Sequence, residues 1–137
     1  MSTYKLKGVG LGLRHEFSHE LAALSPRPVN FLEIIPENWM RVGGWRAKHL
    51  HEFADHYPLI AHGLSLSIGG PGPLDLQFIK DLGQFFATHH IVHYSEHLSY
   101  SHDEQGRLYD LLPIPFTLEA VEYVSSRIRH VQELLGM

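Results

Sequence analysis

Short apolar runs alternate with amphipathic stretches along the chain. Four runs bounded by glycine, proline or polar residues predict buried strands at 8–13, 29–35, 59–62 and 91–97. Apolar residues at helical spacing predict a helix after each strand, the first over roughly 16–24 and the last beginning at Thr117 as its N-cap. The polar residues 101–106 predict a connecting loop before the last helix.

A strand followed by a helix, repeated four times, predicts an α/β protein with a parallel sheet. Neither a linker nor a low-complexity segment interrupts residues 1–137, so we expect one domain. Four βα units could form a small open sheet, or they could be half of a (β/α)₈ barrel, which typically takes ~250 residues. The pattern leaves both arrangements open.

Composition narrows the class of protein. The chain has 137 residues, of which 44% are apolar and 19% charged, and this suits a packed core. A net charge of −4 gives no basic footprint for DNA or RNA. We see neither a secretory signal nor an apolar run of the ~20 residues that span a bilayer, so we expect a cytoplasmic protein without membrane contact. Because cysteine is absent, a bound metal would need imidazole and oxygen ligands.

Polar side chains that can bind a metal follow every predicted strand. In parallel α/β folds, functional groups collect at the carboxyl ends of the strands. His62 ends the third strand, and Glu96 and His97 end the fourth. The first strand is followed by Arg14, His15 and Glu16, and the second strand contains Glu33 and is followed by Glu37 and Asn38. Such groups are what a multi-ligand metal site requires, and we expect His62 and His97 to be metal ligands.

Each candidate also has a structural interpretation. His62 and His97 could be satisfied by backbone carbonyls, and His93, on the same strand face as His97, is better placed for packing or for supporting a ligand. A carboxylate at Glu33, inside an apolar strand, is costly unless it is paired or metal-bound. The other histidines fall in predicted helices or loops and are expected to be mainly solvated: His15, His19, His49, His51, His56, His89, His90, His102 and His130.

Two glycine-rich segments have the composition of ligand-binding motifs. Gly8, Gly10 and Gly12 lie within the first predicted strand. A dinucleotide-binding fingerprint requires a further glycine three residues after Gly12, and this glycine is missing. The 69–72 segment precedes a helix and could hold an anion with its amides. No Lys-Ser/Thr pair follows it, so it is not a P-loop, and a simple turn is the better interpretation.

Four segments, in this order, resemble one protein family. They are Gly8-Val9-Gly10-Leu11-Gly12-Leu13-Arg14, Leu32-Glu33-Ile34-Ile35-Pro36-Glu37-Asn38-Trp39, His62-Gly63-Leu64-Ser65-Leu66-Ser67-Ile68-Gly69 and Ser95-Glu96-His97-Leu98-Ser99-Tyr100. Together they are similar to the multinuclear non-haem iron-dependent oxidases, the family that contains the enzyme that builds the methanobactin copper chelator. The resemblance implies the N-terminal half of a (β/α)₈ TIM barrel of the xylose isomerase-like type. It also implies two or three iron ions at the barrel mouth, with His62 and His97 among the histidine ligands.

The resemblance further implies an activity and partners. Members of the family use O₂ to modify cysteine or other residues of a ribosomally made precursor peptide, commonly with a small partner protein that recognises the peptide leader. They run to about twice this length, the size of a complete barrel, so the ligands on strands five to eight are absent here. We therefore expect a truncated fragment that is inactive alone and associates with a second copy or with a C-terminal half.

Two other classes of function remain open. A zinc- or manganese-dependent isomerase or endonuclease on a related TIM barrel would share the strand-end histidines but would act without O₂. An inactive fragment would only fold or associate. Metal analysis and an anaerobic assay distinguish these classes from an iron oxidase.

Overall fold

The computed structural model describes residues 6–103 and 106–137. These residues contain six strands and four helices. The strands are β1 (Gly10–Gly12), β2 (Phe31–Ile34), β3 (Leu59–Gly63), β4 (Tyr94–Glu96), β5 (Tyr100–Asp103) and β6 (Gly106–Leu112). The helices are α1 (Ser18–Ala23), α2 (Gly44–His56), α3 (Leu76–Thr88) and α4 (Leu118–Leu135). Short 3₁₀ turns occur at His15–Phe17 and Pro36–Asn38.

The first four strands form one sheet in the order β1-β2-β3-β4. The pairs β1–β2 and β2–β3 are parallel, with Gly12 opposite Glu33 and Glu33 opposite Ile60. The Ala61 amide donates to the His93 carbonyl oxygen, just before β4, at 2.9 Å. Sequential strands that neighbour one another, with helices between them, are the arrangement of the first four units of a (β/α)₈ barrel. The predicted fold class is confirmed.

The chain divides into two compact units, Met1–His62 with Phe85–Tyr94 and Gly63–Gln84 with Ser95–Met137. In the first unit, one face of the sheet is buried and carries Leu32, Ile34, Leu59 and Ala61. The opposite face carries Glu33, which is exposed, and Ile60 and His62, which are half-buried. Parallel sheets normally bury both faces. Here the second face is only partly buried.

The second unit has its own core and a β-hairpin. Its core consists of Leu66, Ile68, Ile79, Leu82, Val124 and Val131. β5 and β6 pair antiparallel, with Tyr100 opposite Leu112 and Asp103 opposite Gly106. The predicted loop at 101–106 was therefore wrong for residues 101–103 and 106, which are paired in the hairpin although they look polar and loop-like in sequence, and residues 104–105 lie outside the described residues.

The boundaries of the predicted elements are the least accurate part of the sequence analysis. The fourth strand, predicted at 91–97, is Tyr94–Glu96, and the first helix, predicted over roughly 16–24, is a 3₁₀ turn followed by the short α1. The predicted N-cap of the last helix is confirmed, because the Thr117 hydroxyl oxygen accepts from the Ala120 amide at 3.2 Å. Within the described ranges, no helix is both long and apolar enough to cross a membrane.

Candidate functional site

The partly buried face of the sheet in the first unit carries two of the candidate residues, His62 and Glu33. Side chains alternate between the two faces of a strand, so His62 shares a face with Ile60, two residues earlier. Ile60 pairs with Glu33 of β2, which places Glu33 on that face as well. Glu33 is exposed, so the expected cost of burying its carboxylate does not arise. An imidazole and a carboxylate thus lie on one solvent-facing side of neighbouring strands.

His97 follows β4 directly, in the second unit, and its ring is oriented by the main chain. His97 Nδ1 lies 3.0 Å from the carbonyl oxygen of Gly63. Because a carbonyl only accepts hydrogen bonds, Nδ1 carries the proton and the lone pair of the neutral ring is on Nε2. Metal-ligating histidines are held in this way, with one ring nitrogen donating to a carbonyl or carboxylate. The side chain is 32% exposed, so solutes can reach it.

Glu96 binds backbone amides on both sides of this contact. Its Oε1 accepts from the His97 amide at 2.8 Å, and its Oε2 accepts from the Leu66 amide at 3.3 Å. The side chain is only 10% exposed, and Oε1 lies 3.9 Å from His97 Nδ1. One carboxylate therefore joins the end of β4 to the segment that follows Gly63.

That segment, residues 63–72, is called the support loop below, and an arginine of α4 binds it through three carbonyls. Arg127 Nε donates to the Ile68 oxygen and Nη1 to the Gly72 oxygen, both at 2.8 Å, while Nη2 lies 3.4 Å from the Ser67 oxygen. The planar guanidinium is suited to such multiple contacts because its donors form a fixed fork. The support loop is thereby attached to α4.

Tyr123, one turn before Arg127, makes a further contact with the support loop. Its hydroxyl donates to the Gly70 carbonyl oxygen at 2.6 Å and accepts from Arg127 Nη1 at 2.9 Å. The Arg127 guanidinium also lies 5.2 Å from the centre of the Tyr123 ring, within the range of a cation–π interaction. The two side chains act on the loop as a pair.

The glycine-rich part of the support loop is a turn, as the sequence favoured. The Gly69 amide donates to the Ser99 oxygen at 2.9 Å, and the Gly70 amide donates to the Ser67 oxygen at 2.8 Å. These two amides are engaged within the protein, and the neighbouring carbonyls face the Arg127 cation. The segment does not have the geometry of an anion cradle.

Two histidines that were expected to be solvated are buried. His49 is 6% exposed and stacks on Trp45 with ring centroids 4.8 Å apart, and His89 is 8% exposed and lies 4.6 Å from the ring of His51. Burial, together with the charges that His51 and His90 would carry, lowers the pKa of His89 to about 4. The expectation was wrong for both because each ring lies four residues after an aromatic side chain, Trp45 for His49 and Phe85 for His89, and packs against it.

The remaining candidates, which follow the first two strands, lie in a 3₁₀ turn or pack against an aromatic ring. Glu37 and Asn38 belong to the 3₁₀ turn after β2, and the ring of His15 packs against Trp39 at 4.4 Å. In the part of the chain that the structure describes, no group of three or more His, Cys, Asp or Glu side chains could hold a metal ion. The assignment of His62 and His97 as metal ligands stays a prediction.

Sequence reasoning did not identify the roles of Glu96, Tyr123 and Arg127. Their partners are main-chain amides and carbonyls, which have no residue-type signature. The available signal was the spacing of Tyr123 and Arg127, four residues apart on a helix and therefore on one face. That spacing indicates a shared surface but not the loop it contacts.

Parallel strands in sequential order, with imidazole and carboxylate groups after them, define an α/β protein of the barrel type. A family model described as "RiPP precursor modification enzyme MbnB/TglH/ChrH" matches residues 8–137. The chain belongs to this family.

Similar full-length proteins are described only as UPF0276 proteins. The chain is 54% identical over 132 residues to one from Acinetobacter baylyi, which covers 96% of this chain and 45% of that protein. It is 50% identical over 131 residues to one from Nitrosospira multiformis, covering 96% and 46%. It is 43% identical over 132 residues to one from Neisseria meningitidis, covering 96% and 47%. The chain thus spans about half the length of these relatives.

Proposed function

We propose that this chain is the N-terminal half of an iron-dependent oxidase that uses O₂ to modify a cysteine-containing, ribosomally made peptide. The observation that carries the proposal is the hydrogen bond from His97 Nδ1 to the Gly63 carbonyl oxygen, at 3.0 Å. It places the lone pair of a neutral ring on Nε2, the atom that would bind a metal. The family match over residues 8–137 supports the class of substrate.

The donor groups suit iron. Non-haem iron is bound by imidazole nitrogens and carboxylate oxygens, and thiolates are not required. His62 and His97 would hold the metal, and Glu33 offers a carboxylate on the same sheet face as His62. We expect two or three ions in the complete protein, for which two histidines supply only part of the ligand set.

The side chains of this chain would bind and orient, and the metal would supply the redox chemistry. Iron, when bound, would activate O₂ and pass to it the electrons that the substrate cysteine loses on oxidation. His62 and His97 would bind it as neutral imidazoles, and the Gly63 carbonyl would fix the orientation of the His97 ring. Glu96 would keep that carbonyl in place through the Leu66 and His97 amides.

The proposal includes partners. We expect a precursor peptide as substrate and a small protein that recognises its leader segment. Because the chain spans about half of its relatives, the remaining metal ligands would come from a C-terminal half, and the chain alone would be inactive. A zinc or manganese enzyme would use the same two histidines, so the identity of the metal has to be measured.

Metal content tests the ligand assignment. The chain is combined with the C-terminal half of a full-length relative, loaded anaerobically with ferrous iron, and analysed for metal by elemental analysis. His62→Ala and His97→Ala should each lower the iron content, because each removes a nitrogen ligand. His130→Ala, which removes a half-exposed histidine of α4, is the matched control and should retain iron. Iron content unchanged in both test variants would rule out the assignment.

Oxygen dependence tests the reaction class. The loaded protein should change the mass of a cysteine-containing precursor peptide in air and leave it unchanged without O₂. Retention of zinc or manganese with O₂-independent turnover of another substrate would instead favour the isomerase or endonuclease class.

A further inference from the structure

The orientation of His97 depends on a main-chain atom, so it depends on whatever fixes that atom. Gly63 is both the last residue of β3 and the first residue of the support loop, so its carbonyl lies where the chain leaves the strand. A hydrogen bond of 3.0 Å to His97 Nδ1 persists only while the loop keeps its conformation. The groups that hold the loop therefore contribute to the orientation of the ring.

Glu96 sets the separation between the two ends of this contact. Its carboxylate binds the amide of His97 itself and the amide of Leu66, three residues after Gly63. Moving the loop away from β4 would break one of these charge-assisted hydrogen bonds, which are roughly twice as strong as neutral ones. The carboxylate thus fixes the distance between the Leu66 amide in the loop and the His97 amide.

Arg127 holds the other end of the loop in a conformation that the loop does not favour by itself. Ser67 has a φ of 52°, in the left-handed region that is costly for a residue with a side chain. The Ser67 carbonyl oxygen lies 3.4 Å from Arg127 Nη2. The hydroxyl oxygen of the same serine accepts from the Ser101 amide at 2.9 Å. Contacts from outside the loop therefore offset its local strain.

From these contacts we propose that Glu96 and Arg127 are positioning residues, which hold the support loop so that the Gly63 carbonyl keeps His97 in its Nδ1–H tautomer. The inference rests on the proposed function only in taking His97 as a metal ligand. Neither residue needs to touch metal or substrate. Their effect is on which ring nitrogen carries the proton.

The tautomer can be observed directly in this chain without metal. The chain is labelled with ¹⁵N-histidine and studied by NMR at a pH well above the range in which imidazole titrates. The wild type should show His97 as the Nδ1–H form. Arg127→Met and Glu96→Gln should each shift His97 towards the tautomer mixture of a free imidazole, because each releases the carbonyl that selects one form.

Milder and matched variants separate positioning from general stability. Arg127→Lys keeps the charge but lacks the planar fork, so it should give an intermediate tautomer ratio. Tyr123→Phe removes only the hydroxyl contact with Gly70 and should give a smaller shift. Arg129→Met, at an exposed position of the same helix, is the control and should leave His97 unchanged. Circular dichroism of each variant shows that α4 is intact.

The metal provides a second readout. Cobalt(II), used alone as an optical probe in the chain combined with a C-terminal half, should bind about 10-fold or more weakly to Arg127→Met, the usual effect of losing outer support for a ligand. His97 in the same tautomer in Arg127→Met, Glu96→Gln and the wild type would overturn the proposal, whatever the metal content. A tautomer shift with iron binding that does not depend on His97 would instead support positioning and overturn the oxidase assignment.

Discussion

Two histidine side chains of this protein are held in different ways. The His97 ring is oriented by a main-chain carbonyl and remains in contact with solvent. His89 is neutral because burial and the neighbouring His51 and His90 oppose its protonation. The first arrangement prepares a nitrogen for binding, whereas the second makes stability depend on pH.

His89 should make the protein less stable in mild acid. Its pKa is about 4 in the folded chain, against 6.5 as the ordinary value. Between these pH values the unfolded chain takes up a proton that the folded chain does not, so the free energy of unfolding falls as pH decreases from 6.5 to 4. Above pH 6.5 the effect vanishes. We expect a loss of at most about 3 kcal/mol, measured by urea unfolding across this range.

Replacement of His89 identifies the source of this pH dependence. His89→Gln should flatten the dependence in that window, and His130→Gln, at an exposed position of α4, should leave it as in the wild type. Equal slopes for wild type and His89→Gln would show that another group is responsible.

At the scale of elements, the support loop packs against the rest of its unit too closely for side chains at some positions. A Cβ on Gly69 would lie 2.3 Å from Ile114 Cγ2 and 3.1 Å from the Ser99 carbonyl oxygen. The same atom on Gly72, three residues later, would meet nothing within 4 Å. Close packing therefore requires glycine at position 69 but not at position 72, although both belong to one glycine-rich segment.

Alanine substitutions should separate the two glycines. Gly69→Ala should destabilise the protein by about 1–3 kcal/mol, because the methyl group displaces Ile114 and weakens the Gly69–Ser99 hydrogen bond. Gly72→Ala should change the unfolding midpoint in urea by much less. Equal effects would mean that the close approach at Gly69 relaxes freely.

The N-cap of α4 provides a second test at this scale. Thr117→Ala should cost about 1 kcal/mol, because it leaves the Ala120 amide without its side-chain acceptor. Thr117→Ser keeps the hydroxyl and should retain most of the stability in thermal unfolding. A Ser variant as unstable as the Ala variant would assign the effect to the lost methyl group.

Elements with a repeating apolar pattern could be predicted from sequence, and contacts to the main chain could not. The order of strands and helices, the parallel sheet and the Thr117 cap followed from the periodicity. The β5–β6 hairpin did not, because its pairing involves polar residues without a strong alternation. The strand-end rule placed Glu33 and His62 on candidate positions, but it could not assign Glu96 to two amides or Arg127 to three carbonyls.

At the scale of the whole molecule, apolar surface remains exposed. On α4 the exposed apolar side chains include Leu118, Val121, Ile128 and Leu134. They lie beside the buried Val124 and Val131. The apolar face of α4 is therefore wider than the part of it that the second unit buries. β1 and β4 are the outer strands of the four-stranded sheet, and unpaired strand edges favour association.

We therefore expect the chain to associate in solution. Sedimentation velocity should show species larger than a monomer, and Val121→Lys combined with Ile128→Lys should reduce them by placing charge in the apolar stripe. Glu122→Lys, at an exposed polar position of the same helix, is the control for added positive charge. A stable, well-folded monomer of the unmodified chain would contradict this expectation.

The contact between Arg127 and the support loop has a consequence for biosynthesis. Arg127 is separated by 59 residues from Ile68, whose carbonyl it binds. A nascent polypeptide acquires both histidines well before this arginine leaves the ribosome. During that interval the support loop lacks its partner on α4, so the hydrogen bonds to the Ile68 and Gly72 carbonyls form only after translation has passed residue 127.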